Sequence, residues 1–135
     1  MKETITLKQL LENIPVEIEV PGVGTFKVRE PTRKDRIDAM TEARKSPYWD
    51  KLSEAEQWTE IQERLVIKTI VEPKITWEEY EQLPMSVQTA IVDVISAYHN
   101  RKILDLYKKR RKLIEDFLGL VKGENLSSSL PSYSG

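Results

Sequence analysis

Two short runs of alternating apolar and polar residues lie on either side of a glycine-containing break near the start of the chain. The runs PVEIEV and TFKVRE both have the period of two that a half-buried β-strand requires. The break, PGVG, contains Gly22 and Gly24, which can adopt the positive φ angles of a tight turn. This pattern predicts a β-hairpin in the N-terminal part of the chain.

The period of the apolar residues changes directly after the second run, at Pro31. Thr32 and Asp35 have the spacing of a capping box, in which the two side chains bond to each other's backbone N–H groups at the start of a helix. We therefore predict a helix that begins at Thr32. Arg29 and Glu30, at the joint between hairpin and helix, are expected to make polar contacts that fix the fold there. The apolar side of the predicted helix is Ile37, Met40 and Ala43.

Four further segments have the periodicity of amphipathic helices. They are Leu7–Ile14, Glu54–Val71, Trp77–Leu83 and Val87–Val121. Residues that can cap a helix precede all four segments: Thr6, Ser53, Thr76 and Ser86. The last segment is the longest, and its period is weak at His99–Lys102, where the chain either bends or divides into two helices.

The fold class that follows is α+β and mainly α. We expect an N-terminal β-hairpin packed on a bundle of about four or five helices, the last of them long. A chain of 135 residues fits one domain, which we place at residues 1–121. Residues 122–135 are rich in serine and glycine and have no periodicity, so they are expected to form a flexible C-terminal tail.

The charge of the chain is balanced as a whole but segregated locally. The formal net charge is −1, which does not indicate a globally basic nucleic-acid-binding protein. Arg101–Lys112 contains seven basic residues and one acidic residue, a net charge of +6. Leu52–Leu83 contains eight acidic and three basic residues, a net charge of −5. Such asymmetry suggests helices that meet each other or a charged partner.

Membrane and secretory features are absent from the sequence. No apolar run approaches the roughly 18 residues of a membrane span, and no basic segment followed by an apolar stretch opens the chain. The chain has no cysteine, which excludes disulfides and thiolate metal sites. We expect a soluble, intracellular protein that has no membrane partner.

No residue pattern predicts a catalytic, cofactor-binding or metal site. Gly22 and Gly24 lie between two strand-like runs, and neither a third glycine nor a helix follows them as a phosphate-binding loop requires. The only histidine, His99, has no second histidine at metal-binding spacing, and no serine elbow motif accompanies it. We expect His99 to be a partly exposed surface residue, and the protein not to be an enzyme.

Two segments are candidate partner-binding sites. The first is the basic run YKKRRK, with Tyr107, Lys108, Arg110 and Arg111, which is either a solvated or internally paired helix face, a protein contact or a nucleic-acid contact.

The second candidate site is Tyr48 and Trp49, which lie in a break between helices. They either plug the end of the core or anchor a partner, because tryptophan and tyrosine dominate interface hot spots. Trp58, Trp77 and Tyr80 have helical spacing and are expected in the core.

The order of these features resembles the phage tail assembly chaperones, small proteins encoded just upstream of the tape-measure protein in long-tailed phages and prophages. The resemblance covers about Leu7 to Leu120, and its most telling pieces are VREPTRKD (Val28–Asp35) and IVEPKIT (Ile70–Thr76). The residues that carry the structural fingerprint are Gly22, Gly24, Arg29, Glu30, Pro31, Thr32 and Asp35.

The resemblance implies a non-enzymatic protein without cofactors. It would bind the tape-measure protein, keep it soluble and help to recruit tail-tube subunits, and it could form homo-oligomers. It would act in the cytoplasm of the host cell and leave before the virion is mature. The alternatives are another tail morphogenesis subunit, such as an adaptor or completion protein, and a nucleic-acid-binding regulator.

Overall fold

The computed structural model describes residues 3–122. These residues belong to two compact units, one that extends to His99 and one that starts at Asn100. The predicted tail lies, apart from Lys122, outside the described residues. The assignment of residues 1–121 to one domain stays a prediction.

Five α-helices, one 3₁₀ turn and three β-strands make up the regular structure of residues 3–122. In chain order they are α1 (Leu7–Leu11), β1 (Val16–Val20), β2 (Gly24–Val28), α2 (Arg33–Arg44), the 3₁₀ turn (Trp49–Lys51), α3 (Glu54–Thr69), β3 (Ile70–Glu72), α4 (Trp77–Glu81) and α5 (Met85–Lys122). The predicted fold class, α+β and mainly α with a long C-terminal helix, is confirmed.

The predicted hairpin is formed by β1 and β2. The two strands pair antiparallel, with Ile18 opposite Phe26. At the turn between them, Gly22 has a φ angle of +80° and Gly24 one of +154°, values that residues other than glycine rarely adopt. The alternation is visible in the burial of Phe26 and Val28, whose neighbours in β2 are exposed. The hairpin prediction is therefore confirmed, including the role of the two glycines.

A third strand, β3, was not predicted. It pairs antiparallel with β2, with Val28 opposite Ile70 and Lys27 opposite Glu72. The sequence assigns Ile70 and Val71 to the end of the preceding helix, because the apolar period continues through Ile70 and a strand of three residues is too short to show alternation. In the structure α3 ends at Thr69, and the chain becomes extended at once. The sheet order is β1-β2-β3.

Capping boxes open four of the helices, which explains where each of these helices begins. In each box a hydroxyl accepts a hydrogen bond from the backbone N–H three residues on, and the side chain at that position accepts one in return. Losing the capping hydroxyl costs about 0.5–2 kcal/mol in such sites. The sequence indicates all four of these capping residues: Thr6, Thr32, Ser53 and Thr76. The prediction that Ser86 opens the longest helix is wrong, because α5 already begins at Met85.

The core of the first unit has two clusters, and α3 contributes to both. The larger one joins the sheet to α3, α4 and the N-terminal part of α5. Its buried members are Val20, Phe26, Val28, Val66, Ile67, Ile70, Tyr80, Ile91 and Ile95. The smaller cluster, between α2 and α3, consists of Ala39, Ala43 and Ile61. Small residues on α2 allow the two helices to approach closely.

Burial settles the expectations about four individual side chains. Tyr80 is buried as predicted, and Trp77 is half-buried against the larger cluster. The prediction that Trp58 lies in the core is wrong, because its side chain is 59% exposed. The prediction that His99 is a surface residue is also wrong, because only 6% of it is exposed. His99 lies on the same side of α5 as the buried residues Ile91 and Ile95, and it is therefore buried with them.

Helix α5 is one element of 38 residues. Of the two alternatives left open at His99–Lys102, the division into two helices is therefore wrong. The part of α5 up to His99 belongs to the first unit, and the part from Asn100 belongs to the second.

Candidate protein-binding surface

The joint between β2 and α2 is built around Arg29. Its guanidinium donates to both carboxylate oxygens of Asp35, at 2.6 and 3.0 Å. It also donates to the backbone carbonyls of Glu30 and Lys68, each at 3.0 Å. One side chain thus connects the hairpin, the start of α2 and the end of α3. The hydrogen bond from Arg29 lowers the pKa of Asp35 to about 2, and the same bond raises the pKa of Arg29.

Hydrogen bonds from two more residues, Asn13 and His99, stabilise this joint. The side-chain amide of Asn13 donates to the carbonyl of Glu30 and accepts from its N–H, both at 2.9 Å. Nε2 of His99 lies 3.0 Å from the carbonyl oxygen of Arg29. Neither Asn13 nor His99 is indicated by any local motif, since each bond joins residues far apart in the sequence. The polar contacts expected of Arg29 and Glu30 are present, with partners that the sequence did not identify.

The remaining fingerprint residues lie at the two ends of β2. Gly22 and Gly24 form the hairpin turn, Pro31 is half-buried, and Thr32 and Asp35 form the capping box. Asp35 therefore has two tasks, because it caps α2 and holds Arg29. Both uses of the carboxylate stabilise the fold at the start of α2.

A cleft of about 290 Å³ lies next to the joint. Arg64 and Lys68 are among its lining residues, and each already forms an ion pair within the chain, Arg64 with Glu60 and Lys68 with Glu42. The guanidinium of Arg64 also lies over the ring of Trp77, 4.2 Å from its centroid. These cations stabilise the packing of α3 and do not form a ready anion site.

Tyr48 and Trp49 lie half-buried in the break between α2 and α3. The hydroxyl of Tyr48 is within hydrogen-bonding distance of Glu81, at 2.9 Å, and of Glu60, at 3.2 Å. Trp49 packs against the cluster between α2 and α3, and its carbonyl accepts a bond from Gln57. These contacts agree with a plug at the end of the core. A role in partner binding stays a prediction.

The second unit presents an apolar surface that none of the described residues covers. Every described residue from Asn100 to Phe117 is exposed. Six large apolar side chains between Ile103 and Phe117 have 43–59% of their surface exposed. They lie on one side of the helix because 3.6 residues make one turn. We call this surface the α5 apolar face: Ile103, Leu106, Tyr107, Leu113, Ile114 and Phe117.

The predicted basic run lies on and beside the α5 apolar face. Tyr107 is a member of the face, and Arg110 lies within it, with its guanidinium 5.3 Å from the centroid of the Tyr107 ring. Lys108 and Arg111 lie off the face, and Arg111 forms an ion pair with Glu115 at 3.0 Å. The structure thus brings a broad apolar stripe and a dense positive charge together on one helix.

Smaller exposed apolar surface occurs at the N-terminus of the described chain. Leu7, Leu10 and Leu11 of α1 are 65–72% exposed, as is Ile14 at 72%. The helix predicted at Leu7–Ile14 is present but ends at Leu11, and its apolar side chains are exposed. Because α1 has only five residues, it offers less continuous surface than the α5 apolar face.

A metal-binding cluster and a membrane-spanning helix are both absent from residues 3–122. No group of three or more metal-binding side chains is present there. No helix in this range combines the length and apolarity that crossing a bilayer demands. Comparison of the chain with protein-family models, with curated proteins and with solved structures finds no match in any of the three.

Proposed function

We propose that this protein is a non-enzymatic phage tail assembly chaperone, which binds the tape-measure protein, keeps it soluble and helps to recruit tail-tube subunits. The observation that carries the proposal is the α5 apolar face, an exposed stripe of large side chains on a basic helix. An amphipathic helix of a partner can lay its own apolar side on such a stripe, and the charges around it set orientation and association rate.

The client that fits this surface is long, helical and apolar on one side. A single short stripe binds such a client weakly, but many copies along one client gain affinity through their high local concentration. Weak single contacts also allow the copies to leave when tail-tube subunits take their place. The resemblance of Val28–Asp35 and Ile70–Thr76 to tail assembly chaperones supports the same role.

Co-expression with the tape-measure protein encoded downstream tests the proposal. The chaperone should raise the soluble fraction of that protein and co-purify with it. The variant Leu113→Glu should lose both effects, because it places a charge in the middle of the α5 apolar face. Leu104→Glu is the matched control, since Leu104 is an equally exposed leucine outside the face (48%, against 55% for Leu113). Failure of the wild-type chain to co-purify at several salt concentrations would reject the proposal.

The place of action follows from the proposal and has its own test. A chaperone acts in the host cytoplasm and is missing from the mature virion. Mass spectrometry of purified particles should therefore not detect the chain. Its presence there in stoichiometric amounts would favour the alternative of a structural tail subunit, such as an adaptor or completion protein.

The exposed basic run favours a nucleic-acid-binding regulator as the second candidate. Binding would then weaken steeply with salt, and neutralising Lys108, Arg110 and Arg111 would reduce the slope of log affinity against log salt. An absence of DNA or RNA retardation at low salt would remove this candidate.

A further inference from the structure

The α5 apolar face repeats with a period of seven residues. Ile103 and Phe117 belong to one row along the helix, with Arg110 between them in the same row. Leu106 and Leu113 form a second row on the same side. Tyr107 and Ile114 form a third row, which lies on the other side of the first row. In the notation for heptads these rows are the a, d and e positions, which is the pattern of helices that pair with other helices.

We propose that the α5 apolar face pairs with the same face of a second copy of this chain, with the two helices antiparallel. Arg110 determines the orientation. In a parallel, in-register pair, a positions face a positions, so two Arg110 guanidinium groups would meet in one layer of the seam. In an antiparallel pair an a position lies beside a d position. Arg110 then lies beside Leu113 of the second copy, and Leu106 lies beside Phe117 of the second copy.

The charges beside the seam select one register. Lys109 and Asp116 are seven residues apart and occupy the same flank of the helix, at successive g positions. In the register just described, Lys109 lies opposite Asp116 of the second copy, and two-fold symmetry produces this pair twice. A shift by one heptad in either direction places Lys109 opposite Lys109 or Asp116 opposite Asp116. In the first of these shifts Lys102, the preceding g position, would lie opposite Asp116, but Lys109 would then face Lys109. The register just described is the one that pairs Lys109 with Asp116 without a contact between like charges.

The third row agrees with the same register. Tyr107 lies on the other flank of the seam, and its antiparallel neighbour is Ile114 of the second copy. This flank is therefore apolar, whereas the flank with Lys109 and Asp116 is charged. Pairing would cover the surfaces of Leu106, Leu113 and Phe117, which are 54–59% exposed in the single chain. The face would then be shared between self-association and the client, so the client would compete with the second copy.

Sedimentation equilibrium of the purified full-length chain, without any client, tests the pairing. We expect a concentration-dependent monomer–dimer equilibrium. Leu106→Glu should weaken dimerisation on the order of a hundredfold or more, because it removes the contact between Leu106 and Phe117 of the second copy twice by symmetry. Leu113→Glu should weaken dimerisation less, because its carboxylate would lie beside Arg110 of the second copy. Leu104→Glu should leave the equilibrium unchanged, since Leu104 lies outside the face. Circular dichroism checks that each variant keeps its helices, which the exposure of all three positions favours.

Charge reversal tests the orientation and register. Lys109→Glu and Asp116→Lys should each weaken dimerisation by about tenfold, because both symmetric pairs become repulsive. The double variant should recover most of the wild-type affinity, since its charges are opposite again after exchange. Lys109 and Asp116 are both exposed, so neither substitution should disturb the fold.

Three outcomes would overturn the proposal. A chain that sediments as a monomer at every concentration has no such pairing. Equal weakening by Leu104→Glu and Leu106→Glu would place the contact elsewhere. A double charge reversal as weak as the single ones would reject the antiparallel register. These results are independent of co-purification with the tape-measure protein, so the failure of one proposal leaves the other standing.

Discussion

The guanidinium of Arg29 and the carboxylate of Asp35 meet in a two-pronged ion pair, at 2.6 and 3.0 Å, across the joint between β2 and α2. Arg29 also bonds to the carbonyl of Lys68 at the end of α3, so the pair ties three elements together. Because the two side chains are only 27% and 15% exposed, water screens this pair less than it screens the surface pairs of the chain. A change of charge at Arg29 or Asp35 should therefore weaken the contacts between all three of these elements.

The stability of the fold should fall in acid through Asp35. Arg29 holds the pKa of Asp35 at about 2 in the folded protein, against an ordinary value of 3.8. A carboxyl whose pKa is lowered by folding contributes stability above its ordinary pKa, and this is lost as the pH falls toward the folded pKa. We expect a contribution of about 1–2 kcal/mol at neutral pH that disappears between about pH 5 and pH 2.

Urea unfolding of Asp35→Asn over this pH range measures the contribution. The variant should be less stable than the wild type at pH 7 and nearly equal to it at the acid end. Asp38→Asn is the control on the same helix, because Asp38 pairs with Lys34, whose side chain is 83% exposed. Its effect should stay below about 0.5 kcal/mol. A constant difference between Asp35→Asn and the wild type at all pH values would contradict the role of the ion pair.

His99 should be required for its hydrogen bond to the carbonyl of Arg29. His99 is buried, and its Nε2 lies 3.0 Å from that oxygen. His99→Phe would fill the space but remove the donor, and an unsatisfied buried carbonyl costs about 1–3 kcal/mol. His99→Gln keeps an N–H donor and should recover part of the loss. Thermal unfolding of the two variants tests this. If the hydrogen bond matters, His99→Phe should lower the unfolding temperature more than His99→Gln does. If packing alone matters, His99→Phe should be the milder change.

Local signals in the sequence were sufficient for much of the fold. The alternation of β1 and β2 and the glycines between them are properties of a few consecutive residues, as are the four capping boxes. The contacts that hold these elements together could not be found in this way. Asn13 binds Glu30 and His99 binds Arg29 only after folding has brought distant segments together. Strand β3 exists because β2 offers it a partner.

The candidate surface was predictable in part. The basic run Tyr107–Lys112 is visible in the sequence, as is the helical spacing of Leu106, Leu113 and Phe117. Apolar spacing of this kind predicts that a face is covered, but it does not say by what. In the structure the described residues leave this face exposed, and this finding makes it a candidate protein-binding surface. The same reasoning failed for Trp58, whose helical spacing did not place it in the core.

Glu63 should make the fold less stable at neutral pH than in mild acid. Burial raises the pKa of Glu63, although its hydrogen bond from the Tyr80 hydroxyl partly opposes this. A carboxyl whose pKa is raised by folding binds its proton more tightly in the folded state, so stability decreases as the pH rises above the ordinary value of 4.5. Glu63→Gln removes the charge and keeps an acceptor for Tyr80.

The difference in unfolding free energy between Glu63→Gln and the wild type measures this effect. Glu63→Gln should be stabilised relative to the wild type more at pH 7 than at pH 4, because the buried wild-type carboxyl is protonated, and so uncharged, in acid. The acid sensitivity of Asp35 is common to both proteins and cancels in the difference. Glu56→Gln, at an exposed capping position, is the control and should not reproduce this direction, since capping lowers the pKa of Glu56. A difference that grows on acidification would refute the burial effect at Glu63.

Arg110 should limit the affinity of the α5 apolar face for a second copy. It is the basic residue in a row that otherwise contains Ile103 and Phe117, and a polar residue at such a position specifies orientation at a cost in stability. Arg110→Leu would complete the row and should tighten dimerisation by about tenfold or more in sedimentation equilibrium. Arg111→Leu removes the same charge from the neighbouring position, off the seam and in an ion pair with Glu115. If both variants tightened dimerisation equally, relief of general repulsion among the basic residues would explain the result, and the special position of Arg110 would be rejected.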